Sequence, residues 1–92
     1  MIVKYFAYYR QDTGCKEEKL DLAPITALEL LRYLGRRHGK KFADRVLYHE
    51  GEDIDHQVIF LLNGRNIDFL QGPATVIQET DQVYLFPRIA GG

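Results

Sequence analysis

The chain has 92 residues, which is enough for one small domain with a single hydrophobic core. Hydrophobic residues make up 46% of the sequence and charged residues 27%, a balance that indicates a folded globular protein rather than a disordered chain. The net charge of −1 gives no electrostatic reason to expect nucleic acid or an anionic membrane as a partner.

The first predicted elements form a β-hairpin. Residues 2–9 are rich in β-branched and aromatic side chains, which favours a strand. Turn-forming residues around Asp12 and Gly14 follow, and residues 16–22 predict a second strand with a charged face. A hairpin is the simplest interpretation of this order.

A helix is predicted after the hairpin. Thr26 and Glu29 fit a capping box at its start, and Gly39 predicts its end. Residues 42–48 predict a further short helix, and residues 50–56 an acidic loop. The apolar stripe of the main helix consists of Ala27, Leu30, Leu31 and Leu34.

The remaining elements are strands. Residues 57–62 form the most apolar segment, which predicts a central strand covered by the helix. Asn63 and Gly64 tolerate positive φ and predict a tight hairpin turn into a short strand at residues 65–67. Residues 82–86 predict the last strand.

This order of elements predicts an α+β fold of the β-grasp (ubiquitin-like) type, a mixed sheet with one main crossover helix. The crossover makes the first and last strands plausible parallel neighbours in the centre of the sheet. We expect a β-grasp domain at residues 1–87, closed by Pro87, and a flexible reactive tail at residues 88–92.

Strand alternation predicts an exposed aromatic face beside the tail. Lys4 and Gln82 mark the solvent-facing side of the first and last strands, since neither side chain should be buried unpaired. A contiguous apolar surface on a small domain usually marks a partner site. A covering loop, or an alternation shifted by one residue, is the alternative. The predicted partner-binding residues are Phe6, Tyr8, Tyr84, Phe86 and Pro87.

The sequence ends in two glycines, which raises the question whether the terminal carboxylate itself reacts. An enzyme can convert a carboxylate into an acyl-adenylate, which sulfur then attacks to give a thioester, an acyl persulfide or a thiocarboxylate. Gly91 and Gly92 carry no Cβ, so a tail ending in them fits a narrow active site. From the dipeptide alone, a chance occurrence is the better explanation.

The surrounding sequence resembles the MoaD/ThiS family of ubiquitin-like sulfur carriers, with MoaD as the better match. The resemblance runs from residues 3–7, VKYFA, to Phe86-Pro87 and residues 90–92, AGG. Residues 62–72, LNGRNIDFLQG, resemble the VNGR-x-V-x-FL-x-G stretch of longer MoaD-like members. Further matches are Thr75, Ile77 and residues 81–83.

Two residues depart from the family pattern. Thr80 stands where the family usually has a turn glycine, which affects the turn and not the chemistry. Arg88 stands where many members have a second proline, so a positive charge precedes the reactive end by four residues and can tune the choice of partner.

The resemblance implies a function for the tail. An ATP-dependent E1-like adenylyltransferase of the MoeB/ThiF type would activate Gly92, and a persulfide sulfur donor would convert it to a thiocarboxylate. Inside a MoaE-like large subunit the sulfur would pass to a molybdopterin precursor. Gly92 would react, Arg88, Ile89, Ala90 and Gly91 would thread into the partner, and the chain would be a co-substrate, not an enzyme.

Other functions remain open at this point. The same adenylate would serve a protein modifier conjugated to lysines through Gly92, or a sulfur carrier for thiamine or cysteine synthesis. An interaction-only β-grasp domain, with no tail chemistry, is a third hypothesis.

We expect no metal site, no permanently bound cofactor, and ATP only as a substrate of the activating enzyme. His38, His49 and His56 lack partners at a recognised zinc spacing, and Cys15 is expected to be an inert thiol. The apolar run at residues 58–62 is too short to span a membrane. The single cysteine and the strand-like start of the sequence predict a cytoplasmic location.

Overall fold

The computed structural model describes residues 1–89 of the chain. Three residues of the predicted tail, Ala90, Gly91 and Gly92, lie outside the described residues, and their predicted flexibility stays a prediction.

Residues 1–89 form nine strands and three α-helices. Their bounds, in chain order, are β1 (Ile2–Tyr5), α1 (Tyr8–Thr13), β2 (Glu17–Lys19), β3 (Ile25–Thr26), α2 (Ala27–His38), α3 (Lys40–Val46), β4 (Leu47–Tyr48), β5 (Asp53–Ile54), β6 (Val58–Leu62), β7 (Arg65–Asn66), β8 (Val76–Ile77) and β9 (Gln82–Pro87).

A mixed sheet of five strands organises the domain, in the order β2-β1-β9-β6-β7. Strands β1 and β9 are parallel neighbours, with Ile2 opposite Gln82 and Tyr5 opposite Leu85. The other pairings in this sheet are antiparallel. Helix α2 provides the crossover between the first hairpin and the later strands. The predicted β-grasp fold and the parallel pairing of the first and last strands are confirmed.

Helix α2 forms where its sequence signals place it. The Thr26 hydroxyl oxygen accepts a hydrogen bond from the Glu29 backbone N–H at 3.2 Å, which caps the first turn. The Glu29 carboxylate pairs with Arg32, so only one half of the predicted capping box is present. The buried residues of the predicted apolar stripe are Ala27, Leu30, Leu31 and Leu34.

The core lies between α2 and the face of the sheet that α2 covers. Val3 and Tyr5 in β1, and Val83 and Leu85 in β9, are fully buried, whereas their neighbours on each strand are only half-buried. Phe60 continues this buried layer in β6. The strand alternation predicted for residues 2–5 and 82–86 is therefore confirmed.

The predicted first strand is too long. Strand β1 ends at Tyr5, and Ala7 has a positive φ of 54°, a conformation that a strand does not contain. Helix α1 follows, with Gly14 at φ 75° ending it in the left-handed region. Tyr9 is fully buried, and its ring packs edge-on against Phe42 at 5.6 Å. Burial of this ring favours the helix over a longer strand.

The turn between β6 and β7 is the predicted hairpin. Asn63 and Gly64 have φ values of 51° and 86°, as a two-residue turn with two positive φ angles requires. The Asn63 side chain also accepts a hydrogen bond from the Gln82 backbone N–H at 2.9 Å and donates one to Asp81. This turn is thereby tied to the start of β9.

The segment between α3 and β6 is more regular than predicted. Helix α3 starts and ends two residues earlier than expected, and strands β4 and β5 pair where the sequence predicts a helix end and an acidic loop. Strands β3 and β8 form a second small ladder that the sequence does not reveal. Within residues 1–89, no helix is long and apolar enough to cross a membrane.

Candidate functional site

The last described residues leave the domain beside the loop that precedes β6. Arg88 donates its backbone N–H to the Gln57 carbonyl oxygen at 2.6 Å, and its Nε to the His56 carbonyl oxygen at 3.3 Å. The hydrogen-bonded chain therefore extends one residue beyond the predicted end of the domain. Ile89 follows with 71% of its surface exposed.

An aromatic face lies on the strand that leads into this exit. The rings of Phe6 and Phe86 stack with centroids 4.1 Å apart and an interplanar angle of 8°, and Tyr84 packs edge-on to Phe6 at 6.3 Å. Phe86 lies opposite Ile59, and Tyr84 opposite Leu61. We call Phe6, Ile59, Leu61, Tyr84 and Phe86 the aromatic face.

The aromatic face is only half-buried. Each of its five residues has part of its surface open to solvent, because the sheet covers one side of these rings and no element covers the other within residues 1–89. Stacking against one another reduces the exposure that the sequence predicts for Phe6 and Phe86. Their predicted role in partner binding stays a prediction.

Two residues predicted for this face lie elsewhere. Tyr8 belongs to α1, where its ring packs against Tyr9 and the Arg45 guanidinium lies 4.2 Å from its centroid. Pro87 is buried on the core side of β9, opposite Val58. The prediction for Tyr8 is wrong because the predicted strand extends past Ala7, where the structure has a helix. The prediction for Pro87 is wrong because Pro87, two residues after Leu85, points to the same core face as Leu85.

Two residues of the aromatic face were missed from the sequence. Ile59 and Leu61 alternate with the buried Val58, Phe60 and Leu62 in β6. The same alternation argument that identified Phe86 applies to them, but a wholly apolar strand has no polar residue to mark which face is open to solvent.

Positive charges border the aromatic face on two sides. The Lys4 ammonium lies 5.5 Å from the centroid of Tyr84, and the Arg10 guanidinium 5.1 Å from that of Phe6. Cations at these distances interact favourably with the ring faces. A partner that covers the aromatic face would therefore also meet cations at its edge.

A cavity with acidic walls adjoins Arg88. Its volume is about 280 Å³, and its polar lining includes Asp53, Asp55, His56 and Asp68 together with Arg88 itself. The Arg88 guanidinium carries the positive charge in this lining. The last hydrogen-bonded residue of the described chain thus lines an acidic cavity.

The basic face of α2 is engaged within the domain. Arg32 donates from Nε to the Gly51 carbonyl oxygen at 2.5 Å and pairs with Glu29. Arg37 donates from Nε to Glu18 Oε1 at 2.6 Å. These intramolecular contacts agree with a solvated structural face better than with a docking site for an acidic partner.

A polar cluster centred on Glu18 joins β1, β2 and α2. Tyr5 donates its hydroxyl to Glu18 Oε2 at 2.7 Å, and His38 Nε2 lies 2.5 Å from the same oxygen. Burial acts to raise the pKa of Glu18, but the hydrogen bonds from Tyr5 and His38 outweigh it and leave that pKa below its usual value. Burial raises the pKa of Tyr5, so its hydroxyl stays a donor.

The ThiS family model matches residues 3–92. The chain belongs to the ThiS family. Members of this family are small proteins that act as sulfur carriers or as ubiquitin-like modifiers, and in general they are not catalysts. The aromatic face and Arg88 lie within the matched residues.

Individual relatives agree with ThiS family membership. The chain is 28% identical, over 80% of its length and 82% of the relative's, to a candidate sulfur carrier protein of Archaeoglobus fulgidus. A candidate subunit 1 of the molybdopterin converting factor from Pyrococcus furiosus is 30% identical, with a TM-score of 0.74 over 96% of this chain and 95% of that one. Small archaeal modifier protein 1 from Methanosarcina acetivorans is 26% identical, with a TM-score of 0.78 over 99% and 94%.

A proline at Arg88 tests the hydrogen bond that holds the exit of this ThiS-family chain. Arg88→Pro removes the backbone N–H, so the Gln57 carbonyl oxygen loses its partner, at a cost of about 1 kcal/mol in the free energy of unfolding. We expect faster amide exchange in the adjoining Ile59–Phe86 pair of the β6–β9 ladder. Arg88→Ala is the matched control, because it keeps the N–H and should exchange as the wild type does; equal exchange in both variants would contradict the prediction.

Proposed function

We propose that this chain is a sulfur carrier whose Gly92 carboxylate is activated and converted to a thiocarboxylate. The observation that carries the proposal is the aromatic face, which is formed by β6, β9 and Phe6 and lies on the strand that leads into the Gly-Gly end. Membership of the ThiS family supports the same chemistry. The carrier role explains why an open apolar surface and a slender terminal segment occur together.

The proposed reaction has three steps. The Gly92 carboxylate attacks the α-phosphorus of ATP inside an E1-like adenylyltransferase of the MoeB/ThiF type, giving acyl-AMP and pyrophosphate. A persulfide sulfur donor then displaces AMP and forms an acyl disulfide. A thiol reduces the disulfide, releasing the thiocarboxylate and a mixed disulfide. ATP is consumed by the partner, and no cofactor stays on the carrier.

The acceptor we propose is a molybdopterin precursor held by a MoaE-like large subunit. The 30% identity to the molybdopterin converting factor chain of Pyrococcus furiosus supports this choice. In such a complex the aromatic face docks on the partner, and Arg88, Ile89, Ala90 and Gly91 carry Gly92 into its active site. The chain is then a co-substrate and the complex is the enzyme. Because the activation uses ATP, we propose a cytoplasmic location.

Intact-mass measurement tests the carrier function. The full chain is incubated with an E1-like adenylyltransferase, ATP and a persulfide donor, and its mass should rise by the difference between sulfur and oxygen. Cys15→Ser is the matched control, because a sulfur added to the thiol would vanish in this variant whereas a thiocarboxylate would remain. A mass gain that depends on Cys15 would overturn the proposal.

A protein modifier is the second candidate function. The 26% identity to small archaeal modifier protein 1, over 99% of this chain, favours it. In this reaction a lysine amine displaces AMP and forms an isopeptide bond with Gly92. Lysine-linked conjugates on cellular proteins, absent when Gly92 is deleted, would establish the modifier, and their absence alongside a thiocarboxylate would leave the carrier alone.

Truncation of Phe86 tests the docking surface. Phe86→Ala removes the stacked ring at the centre of the aromatic face, and we expect partner binding to weaken by about 2 kcal/mol, roughly 30-fold in affinity. The free energy of unfolding should fall by less than the free energy of binding, because Phe86 is not a core residue. Titration calorimetry with the large subunit measures the effect. Glu79→Ala, on an exposed residue outside the face, is the control, and an affinity equal to it would exclude this docking surface.

A further inference from the structure

Three side chains with different metal-binding donors meet on the helix side of the sheet. Cys15 precedes β2, Glu18 lies in β2, and His38 is the last residue of α2. One sulfur, one carboxylate oxygen and one imidazole nitrogen from these residues all lie within 4.8 Å of one another. The separation of 20 residues between Glu18 and His38 hides this grouping from any motif search.

The distances suit a small dication after a modest adjustment. Bonds of about 2.0–2.3 Å to zinc place tetrahedral ligand atoms roughly 3.3–3.7 Å apart. Cys15 Sγ already lies 3.8 Å from Glu18 Oε2. His38 Nε2 lies 2.5 Å from the same oxygen, so these two atoms must separate by about 1 Å when an ion replaces the proton between them. Metal binding therefore requires small rotations of the two side chains.

The carboxylate and the imidazole are already oriented by neighbours. The Tyr5 hydroxyl and Arg37 Nε donate to the two oxygens of Glu18, at 2.7 and 2.6 Å. The rings of Tyr5 and Phe42 pack edge-on against the imidazole of His38, at 5.7 and 5.9 Å. Hydrogen bonds of this kind around a ligand set raise metal affinity by fixing its geometry.

Burial and charge also fit an ion. Only 10% of the Glu18 side chain and 11% of the His38 side chain are exposed, whereas Cys15 is half-buried and leaves one side open. A thiolate and a carboxylate together balance the two charges of a divalent cation. Sulfur and nitrogen donors select zinc and its neighbours over magnesium and calcium.

We propose that Cys15, Glu18 and His38 form a binding site for a divalent transition-metal ion of the zinc type. The fourth coordination position faces solvent through the open side at Cys15. On binding, the thiol proton leaves to solvent, His38 binds through Nε2 as a neutral imidazole with its proton on Nδ1, and the metal keeps its oxidation state. Tyr5 points to the core side of β1, so this site lies on the opposite side of the sheet from the aromatic face. The proposal is therefore independent of the sulfur-carrier function.

Cobalt titration of the reduced full chain tests the site. Co²⁺ bound by a thiolate gives a charge-transfer absorption band in the near ultraviolet, and competition with a chromophoric chelator then gives the Zn²⁺ affinity. We expect the band in the wild type and not in Cys15→Ser. Loss of a residue that only supports a metal ligand lowers metal affinity by roughly 10- to 100-fold. Because His38 is itself a proposed ligand, we expect His38→Gln to lower the Zn²⁺ affinity by at least that much.

His56→Gln is the matched control, because His56 is an exposed histidine in the acidic loop, with 82% of its side chain open. This variant should bind Co²⁺ and Zn²⁺ as the wild type does. Thermal melts of each variant check its folding, and Zn²⁺ should raise the melting temperature of the wild type but not of Cys15→Ser. Binding without the charge-transfer band, binding that survives in Cys15→Ser, or binding lost in His56→Gln would each overturn the proposal.

Discussion

A chain whose carboxyl terminus is capped as an amide should form no adenylate and no thiocarboxylate. The neutral amide at Gly92 offers no carboxylate oxygen to attack the α-phosphorus of ATP, so we expect complete loss of activation. The fold should be unaffected, because the cap lies beyond Arg88, the last residue that hydrogen-bonds to the domain among residues 1–89. Pyrophosphate release with the activating enzyme, and intact mass, measure the outcome.

Deletion of Gly92 alone is the matched control for the amide cap. It leaves a free carboxylate on Gly91, but the reacting group then sits about 3.5 Å short of its place in the partner. We expect activation to fall strongly without vanishing, since the chemistry is intact and only the reach is lost. Activation of the amide-capped chain at the wild-type rate would show that a group other than the Gly92 carboxylate reacts, which would contradict the proposed carrier function.

Leu85→Ala should lower the free energy of unfolding by about 2–5 kcal/mol. Leu85 is fully buried in β9, with β1 on one side and β6 on the other, so truncation leaves a cavity in the middle of the sheet. Urea unfolding at constant temperature measures the change. Such a loss is a large part of the stability of a domain of this size.

Phe86→Ala provides the comparison within the same strand, because Phe86 points to the other face. Its loss removes a stacked pair but leaves no enclosed cavity, so the unfolding free energy should fall less than in Leu85→Ala. A larger loss in Phe86→Ala than in Leu85→Ala would contradict the assignment of faces on which the docking surface rests.

Local signals explain what the sequence predicted well. The cap at Thr26, the apolar stripe of α2 and the Asn63-Gly64 turn each depend on residues that are neighbours in the chain. In residues 2–5 and 82–86, side chains alternate between the two faces of the sheet with the period of a strand. Lys4 and Gln82 identify which of these faces is open to solvent. These features were sufficient for the fold and for most of the aromatic face.

Long-range packing explains what the sequence did not predict. The aromatic side chains of Tyr8 and Tyr9 predict a strand. In the structure these residues begin a helix instead, and Tyr9 packs against Phe42, which is far away in the chain. The ladder of β3 and β8 joins residues 25–26 to residues 76–77. The meeting of Cys15, Glu18 and His38 likewise depends on where α2 ends over the sheet. No local pattern contains these contacts.

The parallel pairing of β1 and β9 has a consequence for how the chain folds. Residue 2 lies opposite residue 82, so the central ladder closes a loop that includes almost the whole domain. This contact order is high, and the entropy of closing the loop must be overcome before the pairing stabilises anything. During synthesis, β1 can therefore pair only with β2 until nearly all of the chain has left the ribosome. A product cut short before Gln82 lacks the central strand of the sheet, so incomplete chains should be unfolded and removed as unfolded protein.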